Sequence, residues 1–347
     1  MKRRIRSLVV GTGFWTEQHL KAYQHCRLVE VCGIVGHTNA TRLAEIAGRF
    51  EIPHHSLNLK RAIRNLKPDM VDICSAPVFR LAGIKACVGT SVRLVNVEKP
   101  MALIPSEAYQ IETTCRSNNL LLTVNHQKKF NKPWAEACRI IQGGSLGPIR
   151  FFRATCKGNM LEQGTHIVDM LLYFAGYEPI EWVMGQVADL EGLDKPKTPA
   201  PDSAAVLLRF KSGILAHLCL GNIGWEIPQE TGKWFQFSIE AYGTRGHLVV
   251  TLNQTLDVVS YGKGSRITPS RWDSTYVQGL ADHLDAAARY AGNPKAGHPS
   301  CLDHSMMSFQ AVMAIYQSAC GGGRVQLPSR FKDRLLADLQ ALRHVKY

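Results

Sequence analysis

Short apolar runs alternate with longer stretches of helical period over the first third of the chain. Ser7-Leu8-Val9-Val10 reads as a strand, followed by glycines and a helix near Thr16–Cys26. Leu28–Val35, Met70–Cys74, Arg93–Val97 and Leu120–Val124 read as further strands. Helical patterns fall between them near 40–50, 57–66, 80–88 and 106–117. Strands and helices in alternation predict βαβ units around a parallel sheet. After about residue 148 the rhythm changes. Ile149–Thr155 is a strand and Gly164–Ala175 a helix. Six strand candidates follow with few helices between them: 181–187, 204–210, 213–220, 234–242, 246–252 and 256–261. Turns such as Lys211-Ser212-Gly213 and Gly243-Thr244-Arg245-Gly246 separate them, which points to antiparallel meanders. Two helices are expected near Val277–Ala291 and Cys301–Cys320, and Asp194–Pro201, with three prolines, is an exposed loop.

The parallel series closes with Leu120–Val124, which divides the chain into residues 1–124 and 125–347, and a length of 347 residues suits two domains of ~100–200 each. Hydrophobic residues at 45% and charged residues at 20% exclude a disordered chain, a collagen and a coiled coil. Forty-one Lys and Arg against 28 Asp and Glu give a net charge of +13. Much of that excess sits at the ends, in Lys2–Arg6 and Arg330–Arg334, and no basic run interleaved with aromatics occurs in the interior. Nucleic acid is therefore not the expected partner, whereas a small anionic ligand such as a dinucleotide is. The ten cysteines include no Cys-x-x-Cys, and several lie inside apolar runs, so neither disulfides nor a metal site is expected. The apolar stretch near the start, Leu8-Val9-Val10, is too short for a signal peptide, and no run of 18 apolar residues exists. The expectation is a cytoplasmic protein with no membrane partner.

Gly11-Thr12-Gly13-Phe14-Trp15-Thr16 stands where the first strand turns into the first helix. A first glycine allows the tight turn, and a second lets the backbone approach a pyrophosphate at the helix N-terminus. Thr16 replaces the third glycine of that pattern, which leaves close strand–helix packing open. Gly11, Thr12, Gly13, Phe14 and Trp15 are the expected dinucleotide contacts, with Ser75, Ala76 and Pro77 after the third strand of the parallel series. A ribose-binding acid is expected at the end of the second strand. That place reads Val35-Gly36-His37-Thr38-Asn39, with no acid. A 2′-phosphate would fit near His37, Thr38 and Arg42, so NADP is favoured over NAD; NAD bound through backbone and Asn39 is the alternative. Leu94-Val95-Asn96-Val97-Glu98-Lys99-Pro100 follows a buried parallel strand. Ligands of open α/β sheets bind outside the carboxyl ends of the strands. Glu98, Lys99 and Pro100 are thus placed at the crevice for a nicotinamide, with Lys99 suited to polarise an oxygen.

These residues together resemble the glucose–fructose oxidoreductase / inositol dehydrogenase / rhizopine catabolism (Gfo/Idh/MocA) family. Gly11-x-Gly13 and Glu98-Lys99-Pro100 carry the resemblance. Gly144-Ser145-Leu146-Gly147-Pro148-Ile149, Gln163-Gly164-Thr165-His166-Ile167-Val168-Asp169, Tyr242–Gly246 and Ser318-Ala319 extend it over essentially the whole chain. The resemblance implies an α/β fold: an N-terminal Rossmann domain with a doubly wound parallel sheet, then an α+β domain on a large, mostly antiparallel open sheet. It also implies a nicotinamide cofactor, a sugar, sugar acid or cyclic polyol as substrate, and a homodimer or homotetramer joined through the second sheet. Similar enzymes carry a catalytic histidine at the position of His166, commonly with Asp four residues before it; here that residue is Glu162. By helical spacing Glu162, His166, Asp169 and Tyr173 share one face of an otherwise apolar helix. Related enzymes often have a histidine shortly after the proline of Ala76-Pro77-Val78-Phe79-Arg80, and none stands here. Lys128-Lys129 reads either as a solvated face or, through Lys129, as a substrate contact.

The leading expectation is an NAD(P)-dependent oxidoreductase with Lys99, His166 and Glu162 as catalytic and substrate-binding residues. His166 would exchange the hydroxyl proton and Lys99 would hold the same oxygen, or the two roles would be reversed. The alternatives are a redox-cycling, NAD-dependent glycosidase or lyase on the same fold, and a dinucleotide-binding regulator without chemistry. A regulator needs neither Lys99 nor His166.

Overall fold

Each apolar run of the first third becomes a parallel strand, because burial on both faces of a parallel sheet demands continuous apolar sequence. The chain runs β1 (Ile5–Val10), α1 (Phe14–Tyr23), β2 (Val29–Val35), α2 (Ala40–Arg49), β3 (His55–Ser56), α3 (Leu59–Leu66) and β4 (Met70–Ile73). It continues through α4 (Arg80–Cys87), β5 (Leu94–Glu98), α5 (Pro105–Ser117) and β6 (Leu121–Asn125). The computed structural model describes residues 3–228, 230–253, 255–262, 266–271 and 276–344. The six strands pair in parallel in the order β3-β2-β1-β4-β5-β6. That is the doubly wound order that reverses at β1, where such sheets open a crevice. The side chains of Asn39 and Asn58 cap α2 and α3 by accepting from Arg42 N and Arg61 N.

The next elements are α6 (Lys132–Gln142), β7 (Ile149–Cys156), a π turn (Met160–Gly164), α7 (Thr165–Phe174), β8 (Ile180–Ala188), β9 (Ser203–Phe210) and β10 (Leu215–Leu220). β11 (Phe237–Gly243), β12 (Gly246–Thr251), β13 (Thr255–Ser260) and β14 (Arg266–Arg271) follow. Then come α8 (Tyr276–Gly292), α9 (Leu302–Gly321), β15 (Val325–Gln326) and α10 (Leu335–Ala341). Contacts divide the chain into one unit of Met1–Phe130 with Tyr276–Ser305 and another of Asn131–Thr275 with Met306–Tyr347.

In the first unit α8 lays Leu280, Leu284, Ala287 and Ala291 against Leu20, Val29, Ile34 and Leu43 in one buried cluster. Burying one such leucine is worth roughly 1.5–3 kcal/mol. In the second unit nine strands form one sheet, β14-β13-β12-β11-β7-β10-β9-β8-β15. Trp134 of α6 stacks on Phe174 of α7 and meets Phe237 of β11 edge-on, with ring centroids 6.0 and 5.4 Å apart.

The antiparallel meander expected for this sheet has one exception: β10 runs parallel to β7, with Leu215 opposite Phe151. The expected strand 234–242 starts only at Phe237, since Lys233–Phe235 form a 3-10 turn. The helix expected from Gly164 starts at Thr165, and Glu162 lies on the π turn before it. Gly164 is needed in that turn, because a Cβ there would stand 2.5 Å from the Met160 sulfur. No helix among the described residues is long and apolar enough to cross a membrane.

Candidate active site

At the carboxyl edge of the first sheet, β1 hands over to α1 through Gly11, whose φ of +132° suits glycine. A Cβ at Gly11 would stand 2.7 Å from the Thr16 hydroxyl and 3.2 Å from the Ser75 nitrogen. Thr16 therefore does pack closely against the turn, in the place of a third glycine. Gly13 is the N-cap of α1 and brings no side chain to cap it, and a Cβ added there would meet only open space. The first N–H groups of the helix are thus left for an anion. The buried hydroxyl oxygens of Thr16 and Ser75 have no hydrogen-bond partner. An uncapped helix, a backbone open to close approach and two orphaned hydroxyls fit a dinucleotide pyrophosphate. Ala76 and Pro77 begin the 3-10 turn after Ser75, and Phe14 and Trp15 stand exposed beside the loop.

At the end of β2, His37 stacks on Phe79 with centroids 4.2 Å apart, and burial lowers its pKa. Thr38 is exposed. Arg42 pairs with Glu17 and, at 3.3 Å, with Glu45. Half-exposed pairs of this kind are worth about 0–1 kcal/mol, so the guanidinium can turn to another anion.

Lys99 follows β5, joined to Pro100 by a cis bond, and its Nζ lies 5.8 Å from the centroid of the Trp15 ring. Beneath it Glu98 is buried; it lies 2.9 Å from His19 Nε2 and accepts from the Asn125 amide and from Lys99 N (3.1 Å). Burial pushes the Glu98 carboxyl up, but the hydrogen bond and charge of His19 with the charge of Lys99 outweigh it and hold it at about 2. Arg80 turns inward and donates from Nη2 to the Lys99 carbonyl at 3.1 Å. Desolvation lowers its pKa to about 10 against the pull of Glu98. His19, Asp72 and Cys74 bring donor atoms within 4.8 Å of one another, the spacing of a metal site. Both ring nitrogens of His19 already face carboxylates, so a hydrogen-bonded network describes the group better.

Lys128 and Lys129 are buried, which overturns the solvated-face reading. Lys129 Nζ donates to Pro299 O (2.7 Å) and Ser300 Oγ (3.0 Å) within the first unit.

In the second unit His166 is buried in the first turn of α7, and Asp169 accepts from Ser308 Oγ at 3.2 Å. Glu162 and Asn159 cap each other's backbone N–H, and the Glu162 carboxylate lies 3.9 Å from Lys195 Nζ. Lys195 also pairs with Asp202 at 2.6 Å. His19 and Lys195 were not among the residues expected from sequence. One sign of the His19 network was visible: Asp72, Asn96 and Thr123 interrupt three apolar strands, and in the sheet they lie side by side.

The sheet order and the uncapped glycine turn define a dinucleotide-binding Rossmann fold. Residues 5–126 match the family profile described as "Oxidoreductase family, NAD-binding Rossmann fold" and residues 147–249 match the GFO/IDH/MocA C-terminal domain; the chain belongs to this Gfo/Idh/MocA family. It is 21% identical over 277 residues to a myo-inositol 2-dehydrogenase of Thermotoga maritima, covering 75% of this chain and 80% of that protein. It is 19% identical over 342 residues to a D-apiose dehydrogenase of Rhizobium rhizogenes, covering 93% and 97%. Among solved structures it resembles an Agrobacterium radiobacter oxidoreductase in complex with NAD+, L-tartaric acid and magnesium, with a TM-score of 0.79 at 18% identity over 93% of this chain and 98% of that one. A levoglucosan dehydrogenase in complex with NADH and levoglucosan gives a TM-score of 0.82 at 18% identity, over 94% and 100%.

Proposed function

We propose that this protein is an NAD(P)-dependent dehydrogenase acting on a CH–OH carbon of a sugar, sugar acid or cyclic polyol. The observation that carries the reading is the carboxyl edge of the first sheet: an uncapped, glycine-entered helix with Lys99 at the end of β5. Gly11, Gly13, Ser75 and Thr16 would hold the dinucleotide, whose nicotinamide ring accepts or returns a hydride. Lys99 binds and polarises the reacting substrate oxygen. His166 exchanges the hydroxyl proton as general acid or base. Glu162, in its capping box, fixes the turn from which α7 starts and so the direction of His166. The test is a panel of polyols, aldoses, uronates and aryl glycosides, each with NAD and with NADP. Net change of nicotinamide absorbance with a polyol or sugar supports a dehydrogenase. Release of aglycone without net cofactor turnover identifies the redox-cycling glycosidase instead, and dinucleotide binding without any turnover identifies a regulator.

NADP is expected to bind at least as tightly as NAD. No carboxylate stands among Gly36, His37, Thr38 and Asn39 to repel a 2′-phosphate, and Arg42 is one turn away. Gly36→Asp should shift the preference toward NAD by on the order of tenfold, about 1.4 kcal/mol. A Cβ at Gly36 would meet Leu43 and Thr12 at 3.3 Å, a contact that small movements relieve. Calorimetry with both dinucleotides on both proteins checks this, and a strong wild-type preference for NAD contradicts it.

The second sheet offers a face for a second copy of the chain. Alternation along β9 and β10 leaves Leu207, Arg209, Leu215 and His217 half-exposed on one side. Phe151 and Arg153 of β7, with Tyr242 and Glu240 of β11, continue the same two rows by register. A homodimer or tetramer through this face should sediment as such, and Leu207→Asp should shift it toward monomer. A wild-type protein that sediments as a monomer at micromolar concentration rejects the interface.

A further inference from the structure

Lys99 has both of its peptide groups held by charged side chains. Its N–H donates to Glu98 Oε2 at 3.1 Å, and its carbonyl accepts from Arg80 Nη2 at 3.1 Å. Neither holder is exposed: Arg80 is 2% and Glu98 4% accessible. Glu98 is itself held by His19, which is fully buried. His19 Nε2 lies 2.9 Å from Glu98 Oε1, and His19 Nδ1 lies 2.7 Å from Asp72 Oδ2. Asp72 is anchored in turn by Tyr23 Oη (3.0 Å) and by Asn96 Nδ2 (2.8 Å), whose Oδ1 accepts from Thr123 and faces His283 Nε2.

A neutral imidazole carries one N–H and one lone pair. A ring that points both nitrogens at carboxylates would set its lone pair against an anion, relieved at Nε2 only by the Asn125 amide 3.1 Å away, which also donates to the same Glu98 oxygen. Doubly protonated, it donates to both and balances one of the two negative charges. Burial, the largest single influence, lowers the His19 pKa, but the charge and hydrogen bond of Asp72 together with those of Cys74 outweigh it and raise the pKa well above the ordinary value. The groups around the ring are Asp72 and Cys74 from β4 and the residue beyond it, Glu98 from β5, Asn125 from β6, Cys26 just after α1, Tyr276 and His283 from α8, and, through its bond to Asp72, Tyr23 from α1. Burial keeps His283 neutral and Tyr276 protonated, so neither opposes the charge on His19.

We propose that His19, held as an imidazolium between Asp72 and Glu98, and Arg80, bound to the Lys99 carbonyl, are positioning residues that fix the backbone from which Lys99 reaches its substrate. This rests on the assignment of Lys99 to the reacting oxygen. A displacement of about 1 Å at a reacting group costs on the order of 10²-fold in rate, which sets the scale of what such a clamp protects.

The first test needs no substrate. In protein carrying 15N-labelled histidine, long-range 1H–15N correlation spectra from pH ~6 to pH ~9 span the range in which an ordinary imidazole loses its proton. One histidine, absent in His19→Gln, should keep both nitrogens protonated to the upper end. Loss of that proton near pH ~6.5, or a single protonated nitrogen throughout, overturns the proposal. The second test compares His19→Gln and Arg80→Gln with wild type. NADH affinity by fluorescence titration should stay within about threefold, while kcat with the substrate found by the panel falls ten- to a hundredfold. Arg80→Lys, which can still donate to the carbonyl, should recover part of it. If Lys99→Met is inactive but folded Arg80→Gln keeps wild-type kcat, the clamp fails and the assignment of Lys99 stands. If Lys99→Met is active, that assignment fails first, while the spectra still decide the state of His19.

Discussion

Replacement of Lys99 by methionine is expected to lower turnover by 10²–10³-fold while leaving dinucleotide affinity within a few fold of wild type. The magnitude is that of removing one preorganised donor to a developing charge. The separation of the two effects follows from the sheet edge. The pyrophosphate would be taken by the α1 N-terminus and the turn at Gly11, whereas Lys99 projects from the end of β5. Methionine keeps the unbranched apolar stem of the side chain and removes the ammonium group, with its charge, its donors and its place 5.8 Å from the Trp15 ring centroid. Glu98 would lose one favourable charge but keep its bonds to His19 and Asn125, so the fold should hold. Steady-state kinetics with fluorescence titration of NADH measure both quantities. Near-normal kcat in folded Lys99→Met would remove the residue from the chemistry.

His166→Asn is expected to cost 10²–10⁴-fold in kcat/KM, the usual worth of a positioned acid or base. It should also change the shape of the pH profile. In the oxidation direction, wild-type activity should climb with pH as the imidazole loses its proton and becomes able to accept one. Asparagine has no such proton to lose, so the variant's residual rate should lack that climb. Asp169, three residues on from His166 in α7, accepts from Ser308, so Asp169→Asn should lower the rate without removing the ascending limb. The measurement is kcat/KM against pH for the three proteins. An unchanged climb in His166→Asn would move proton transfer elsewhere, with Lys99 the first candidate.

The strands of the first sheet were legible because two-sided burial writes itself as unbroken apolar sequence: Leu8-Val9-Val10 is buried throughout. The glycine turn and Lys99 were legible for a related reason, since their meaning lies in local order after a strand. α6 was overlooked although Trp134, Ala137, Cys138 and Ile141 carry a helical stripe, all of them buried. β3 and β15, at two residues each, are too short to show any period. The parallel pairing of β10 with β7 has no local sign, because turns announce only the hairpins between neighbours in sequence. Lys129 was misleading for a physical cause. A cation looks solvated until a distant carbonyl, here that of Pro299, is brought to it by the fold. The His19 network is hidden in the same way, since Asp72 and Glu98 lie far along the chain and meet the ring only through strand order.

The return of α8 has a bearing on how this chain is born. Domains emerging from the ribosome fold as units, the N-terminal one first. Here the first sheet is synthesised early, but the helix that covers Leu20, Val29 and Leu43 with Leu280 and Leu284 arrives only after all of β7 through β14 has been made. Until Ser305 is out, one flank of the nucleotide unit is bare hydrocarbon. Vectorial synthesis therefore delivers eight of the nine strands of the second sheet before the flank of the first is covered, and that flank is the surface a holdase chaperone would meet on the nascent chain.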